Sequence, residues 1–272
     1  MLVNAKTKNK ILISINNLEE IDKYKAEGIS TFLLPLKGYT VGYPASFQIE
    51  GINAVASKNN IYCLINKVLN NKEIDELKSI LPKLNIKGFV IEDIGLIKTI
   101  KALNKEVILF INHFNCNYKS INVWLNYVDS VFVSNELTKE ELQEIDANVT
   151  KPVVYHLLGY NQVMYSKRKL VSNYEDYYHL PHTNPLHITD KMGSVKFTLF
   201  EEEGSTVGFS NKCAVLDCLD LNNVYYFYVN TTFLSVDTII KFFHGEDIVN
   251  TDNGFLTKKT VFKIGDIKWL SY

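Results

Sequence analysis

A chain of 272 residues, 46% hydrophobic and 22% charged, can bury a real core and is long enough for one large domain, or a large and a small one. The formal net charge of -1 supplies no global field that would select nucleic acid or an acidic membrane. No apolar run is long enough to span a bilayer and the first residues lack a signal-peptide core, so the expectation is a cytoplasmic protein with no membrane partner.

Lys6, Lys8 and Lys10 form a short basic arm before the first apolar run. Seven such runs then recur: ILISI at 11–15, TFLLPL at 31–36, IYCLIN at 61–66, GFVIED at 88–93, VILFIN at 107–112, SVFVSN at 130–135 and PVVYHL at 152–157. They are rich in β-branched residues and lack alternating polar positions, as strands covered on both faces do. Amphipathic segments of helical length separate them. Residues 17–27 place Leu18, Ile21 and Tyr24 on one face, with Gly28 as a stop. Residues 71–84 align Ile74, Leu77, Ile80, Leu81 and Leu84. Residues 138–147 open on Thr138 with Glu141 three places on, a capping-box spacing.

Repeated strand–helix units predict an α/β fold with a parallel sheet and right-handed crossovers. The favoured architecture is a TIM-barrel-like domain over 1–185, with about seven or eight parallel strands and outer helices. Its working face would be the C-terminal ends of the strands. Asn66, Asp93, Asn112, Asn135 and His156 close runs and would ring that mouth. Strand-end polar residues also simply start turns, so only their recurrence favours a site.

The rhythm breaks after His156. Residues 159–182 are rich in tyrosine and polar residues. Short strands follow: a hairpin around Lys191, Met192 and Gly193, a glycine-punctuated turn at 201–210, and an aromatic strand at 225–230. A helix over 235–244 has Ser235 as its cap and Gly245 as its terminator, and a hairpin is expected at 254–264. Residues 186–272 therefore read as a small, mixed, mostly β subdomain docked on the barrel.

Four stretches carry a family resemblance: IEDIG at 91–95, VSNELTKEEL at 133–142, YHLLGYNQVMYSKRKLVSNY at 155–174 and LFEEEGSTVGFS at 199–210. Together they resemble the peptidase U32 family, the collagenase-like peptidases, in the short form found in low-GC Gram-positive bacteria. The third stretch is the most specific: Gly159, Met164, Ser166, Arg168, Leu170, Asn173 and Tyr174 match that form. Asn66 matches a common Asn, whereas Asn135 stands where the family usually has Arg. The resemblance implies a TIM-barrel-like fold and a hydrolase, or protease, acting on a peptide or protein. Other members act in RNA or quinone hydroxylation and hold an iron–sulfur cluster through cysteines that begin in the same signature. The four cysteines here, Cys63, Cys116, Cys213 and Cys218, leave none between 116 and 213, so no iron–sulfur cluster is expected.

For a peptidase, Asp93, Glu136 and His156 are the candidate catalytic groups, as acid–base residues or as ligands of a divalent metal. Asp93 is equally a helix cap, and no H-E-x-x-H motif supports a metal. Asn66, Asn112, Asn135, Tyr165, Ser166 and Arg168 are the candidate substrate-binding residues. Arg168 would clamp a carboxylate or phosphate, or pair with Glu136 or Asp93. His179, His182 and His187 read as loop histidines, because Pro181 and Pro185 break any helix that would align them. Tyrosines interleave with Lys167, Arg168 and Lys169, which suits single-stranded RNA as well as it suits packing against the barrel. A role in an RNA-modification system and a catalytically silent scaffold remain the alternatives, and oligomeric state is not legible.

Overall fold

Strands and helices alternate from residue 11 onward in the computed structural model, which describes residues 5–111, 113–202, 204–216 and 220–257. A short α1 (Ala5–Lys8) leads into β1 (Ile11–Ser14), α2 (Glu20–Ala26), β2 (Thr31–Pro35), α3 (Ile49–Ala56), β3 (Asn60–Ile65) and α4 (Asn71–Ile80). Then come β4 (Gly88–Ile91), α5 (Ile97–Ala102), β5 (Glu106–Leu109), α6 (Tyr118–Trp124), β6 (Ser130–Val131), α7 (Lys139–Asn148) and β7 (Val153–Ser166). The remainder holds α8 (Leu170–Tyr178), β8 (Leu186–Thr189), β9 (Val195–Glu202), β10 (Ser205–Val215), β11 (Val224–Val229), α9 (Val236–Phe243) and β12 (Thr251–Asp252).

Local chemistry sets several helix starts. The capping box at Thr138 forms as its spacing predicts: Glu141 N donates to Thr138 Oγ1 at 3.3 Å and Thr138 N to Glu141 Oε2 at 2.8 Å. Asn70 and Glu73 make a second box on α4. Ser235 caps α9, its hydroxyl accepting from Thr238 N.

β1 to β6 pair in chain order, always parallel. β6 meets β7 through a parallel bridge between Phe132 and Val154, and Val133 N donates to Val154 O at 2.9 Å. β11 lies between β7 and β1, parallel to both, so the barrel closes on eight strands. The fold is TIM-barrel-like. The closing strand is the aromatic segment that the sequence places in the 186–272 subdomain, and α9 is the helix that follows it. The insertion, α8 to β10, therefore sits between the seventh and eighth barrel strands rather than after a complete barrel. The long insertion interrupts the strand–helix rhythm, and that interruption hides the eighth unit. The hairpin expected at 254–264 lies outside the described residues from 258 on; residues 254–257 form a turn.

Alternation along each strand divides the core in two. Leu12, Leu33, Tyr62, Leu64, Val90, Ile108, Phe132, Val154, Tyr226 and Tyr228 pack together inside the barrel. Their neighbours Ile13, Phe32, Cys63, Phe89, Val107 and Tyr155 face outward against Ile21, Leu77, Ile100, Ile121 and Leu142 of the helices. The N-terminal end of the barrel is plugged by polar contacts. Glu106 accepts from the hydroxyls of Tyr62 and Tyr225, and Lys87 lies 3.5 Å from the Glu106 carboxylate.

β7 runs on past the barrel and pairs antiparallel with β10, which continues the sheet through β9 and β8. It leaves the ring at Gly159, whose φ is +145°; a Cβ there would stand 2.6 Å from the Asn230 Cβ. Only glycine allows both that dihedral and that approach. Val41, on the loop after β2, packs with Val207 and Phe209 of β10. This loop and the inserted sheet roof the C-terminal mouth.

Candidate active site at the barrel mouth

Strand parity decides which side chains reach the mouth. Val90 points into the barrel, so Glu92, two residues on, does as well, while Asp93 turns away. Likewise Tyr62 and Leu64 lead to Asn66, Val154 leads to His156, and Tyr226 and Tyr228 lead to Asn230.

Two carboxyls there are unusual. Glu92 accepts no hydrogen bond among the described residues, and burial pushes its pKa up to about 7. Burial also raises Glu202, at the end of β9, to about 7, although Gly42 N donates to its Oε2 at 3.3 Å and partly offsets the rise. Both act on one phenol: Tyr165 is raised by burial and by the negative fields of Glu92, Glu73 and Glu202, against the lowering effect of the Val68 N–H that it accepts.

Beside them sits a neutral, aromatic layer. Burial alone lowers His156 to about 4, so its ring is uncharged at neutral pH. It packs edge-on against Tyr228 with ring centroids 5.6 Å apart, and neither ring nitrogen has a hydrogen bond among the described residues. The Tyr43 and Tyr228 hydroxyls are 2.7 Å apart, and burial raises both phenols. Asn135 Nδ2 donates to Asn161 Oδ1 at 2.8 Å. A small cavity under the roof is bordered by Tyr43, Asn135, His156, Gln162, Tyr228 and Asn230.

The structure gives Asp93 and Glu136 local partners. Asp93 Oδ1 accepts from Gly95 N at 2.8 Å and caps the turn Ile94–Leu96. Glu136 is exposed and lies 3.3 Å from His113 Nδ1. No hydrogen bond or ion pair joins Asp93, Glu136 and His156 among the described residues. Asn66 spends both polar atoms on Val41, accepting its N–H at 2.9 Å and donating to its carbonyl at 3.0 Å. Ser166 ends β7 opposite Thr206, and Arg168 is exposed with no ion pair to Glu136 or Asp93. Asn112 lies outside the described residues. Of the loop histidines, His182 pairs with Glu175 at 3.0 Å, His187 bonds Thr198, and His179 ends α8.

Sequence reasoning missed Glu92 and Glu202. Counting parity from Val90 would have found the first; the second reaches the mouth only through the long-range register of β9, β10 and β7. Among the described residues, no three His, Cys, Asp or Glu side chains are grouped as metal ligands. Cys63 and Cys213 are buried and Cys116 is exposed, each a free thiol. No helix among the described residues is long and apolar enough to cross a membrane.

Comparison with curated proteins gives no match. Among solved structures, the chain is similar to the N-acetylmannosamine-6-phosphate 2-epimerase from Clostridium perfringens, at 14% identity and a TM-score of 0.45, over 88% of this chain and 94% of that one. The sequence model of Peptidase family U32 matches residues 13–180, from the first strand through the inserted helix α8, and the chain belongs to that family.

Proposed function

We propose that this chain hydrolyses peptide bonds at the C-terminal mouth of its barrel, with Glu202 as general base and Glu92 as general acid. The observation that supports this reading is a pair of carboxyls that burial raises to about 7, both close enough for their negative fields to act on the Tyr165 phenol. A proton-transfer group works best when its pKa lies near the operating pH. The roles divide by hydrogen bonding. The Gly42 amide favours ionised Glu202, whereas nothing but burial acts on Glu92, which favours its protonated form.

In this scheme Glu202 takes a proton from a water as its oxygen bonds to the carbonyl carbon. Glu92 then gives its proton to the amide nitrogen as the C–N bond breaks. The products are a carboxylic acid and an amine, and the pair resets by proton exchange with solvent. His156 stays neutral throughout and offers a ring nitrogen to the substrate. The roof of the mouth favours short or unfolded peptides over folded proteins.

Hydrolysis of casein and denatured collagen tests this. Glu92→Gln and Glu202→Gln should each lower the rate by about 10²-fold or more. Full activity in the double variant would remove the site.

One observation favours a second reading, a partner of RNA. Tyr174, Tyr177 and Tyr178 are exposed on α8, beside exposed Lys167, Arg168 and Lys169. The Tyr177 and Tyr178 rings meet edge to face with centroids 4.8 Å apart, and exposed aromatic rings can stack on bases. RNA crosslinks mapping to 155–178, with no peptide hydrolysis, would favour that reading. Silence in both assays would leave a scaffold.

A further inference from the structure

Tyr165 is held at the mouth by its ring and by its oxygen, while its proton is unspent. It stands on β7 opposite Val207 of β10, and its ring packs on the roof cluster of Val41, Val207 and Phe209. The phenol oxygen accepts Val68 N–H at 3.2 Å, from the loop after β3. That bond ties the roof to the rim of the barrel and occupies one side of the oxygen. Among the described residues the O–H has no acceptor: it bonds neither Glu92 nor Glu202, although the field of each reaches it. Tyr43 and Tyr228, by contrast, are buried and direct their hydroxyls at each other, whereas Tyr165 is only half-buried. A fixed, reachable donor beside two proton-transfer groups is what a developing negative charge needs.

We infer that Tyr165 is the oxyanion donor of this mouth: its O–H bonds the carbonyl oxygen of the scissile peptide and tightens as that oxygen becomes negative. This rests on the hydrolytic reading and adds the group that holds the third reacting atom. Glu202 acts on the water and Glu92 on the amide nitrogen, so the carbonyl oxygen needs a donor of its own. The phenol keeps its hydrogen throughout. The carbonyl electron pair moves onto the oxygen as the water oxygen bonds to carbon, and returns to the carbonyl as the C–N bond breaks. Burial, with the fields of Glu92, Glu73 and Glu202, raises the phenol above its ordinary value of 10, so it stays a donor across the neutral range. The Val68 amide acts in the useful direction, because a hydroxyl that accepts a hydrogen bond donates a stronger one. Lys67, one residue earlier, is engaged by Glu73 at 2.8 Å and does not compete for the role.

Tyr165→Phe removes the hydroxyl and keeps the ring. Val68 is exposed, so water takes over its amide, and the variant should keep the wild-type melting temperature. Casein hydrolysis should fall about 10²-fold in kcat, with KM within about twofold. Binding reads the same donor without turnover. Full-length wild type and Tyr165→Phe are titrated by NMR at about pH 6, below the value near 7 at which both carboxyls ionise. The probes are N-acetyl-alanyl-alaninamide and its phosphinic analogue, in which a tetrahedral phosphinate and a methylene replace the scissile carbonyl and amide. The variant should lose about tenfold in affinity for the phosphinic compound and less than about twofold for the parent. Equal loss for both probes, unchanged affinity for the phosphinic one, or its failure to bind the wild type would overturn the role. So would an unchanged kcat in a protein that does hydrolyse casein. Tyr165-dependent binding of the phosphinic compound with no casein hydrolysis would sink the hydrolytic reading and leave Tyr165 as the donor to a tetrahedral oxygen.

Discussion

Glu92 and Asp93 are adjacent in the chain and do opposite jobs: Glu92 is half-buried at the barrel mouth, while Asp93 faces outward and caps the next turn through the Gly95 amide at 2.8 Å. The difference follows from the two-residue period of a strand. Asp93→Asn should therefore leave hydrolysis nearly unchanged and cost about 1 kcal/mol of stability or less. Glu92→Gln should do the reverse, lowering hydrolysis about 10²-fold or more while keeping the melting temperature at acid pH, where wild-type Glu92 is itself uncharged. Parallel rate and thermal-melt measurements on the two variants check this.

Stability should depend on pH in two opposed ways. Glu92 is raised from 4.5 to about 7, so its contribution is complete below 4.5 and is lost as pH rises through 7. The loss is on the order of 3 kcal/mol. His156 is lowered from 6.5 to about 4, so its contribution is complete above 6.5 and is lost as pH falls through 4. The two slopes oppose each other between 4.5 and 6.5. Urea unfolding across this range should show Glu92→Gln flattening the alkaline limb and His156→Asn the acid limb.

The barrel's far end is a structural plug. Glu106→Ala would strand Lys87 and the phenols of Tyr62 and Tyr225 at a half-covered site. A loss of about 2 kcal/mol is expected, with kcat unchanged. Chemical denaturation and steady-state assays report the two halves of that expectation.

Gly159→Ala should cost more than 2 kcal/mol, because the new Cβ meets Asn230 at 2.6 Å and φ is +145°. Loss of soluble protein or a markedly lower melting temperature would show it.

Most of the barrel was legible because its strands are covered on both faces and its helices carry apolar stripes and caps. ILISI, TFLLPL and GFVIED all became parallel strands in chain order. The eighth strand was visible as YYFYVN but not its place in the ring, since closure depends on Phe227 and Val229 pairing with Ile11 and Ile13, far back in the chain. The site was only half legible. Ends of strands mark the mouth, and His156 and Asn135 are there. Polar identity alone does not tell a turn cap such as Asp93 from a mouth-facing group such as Glu92. Glu202 depends on a hairpin docking across the mouth, a tertiary fact with no local signal.

The most direct measurement is a 13C NMR titration of the glutamate side-chain carboxyls in the full-length protein, wild type beside Glu92→Gln and Glu202→Gln. The wild type should show two carboxyls titrating near 7, with one missing from each variant. If every glutamate instead titrates in the ordinary range around 4.5, the mouth holds no proton-transfer pair and the account fails.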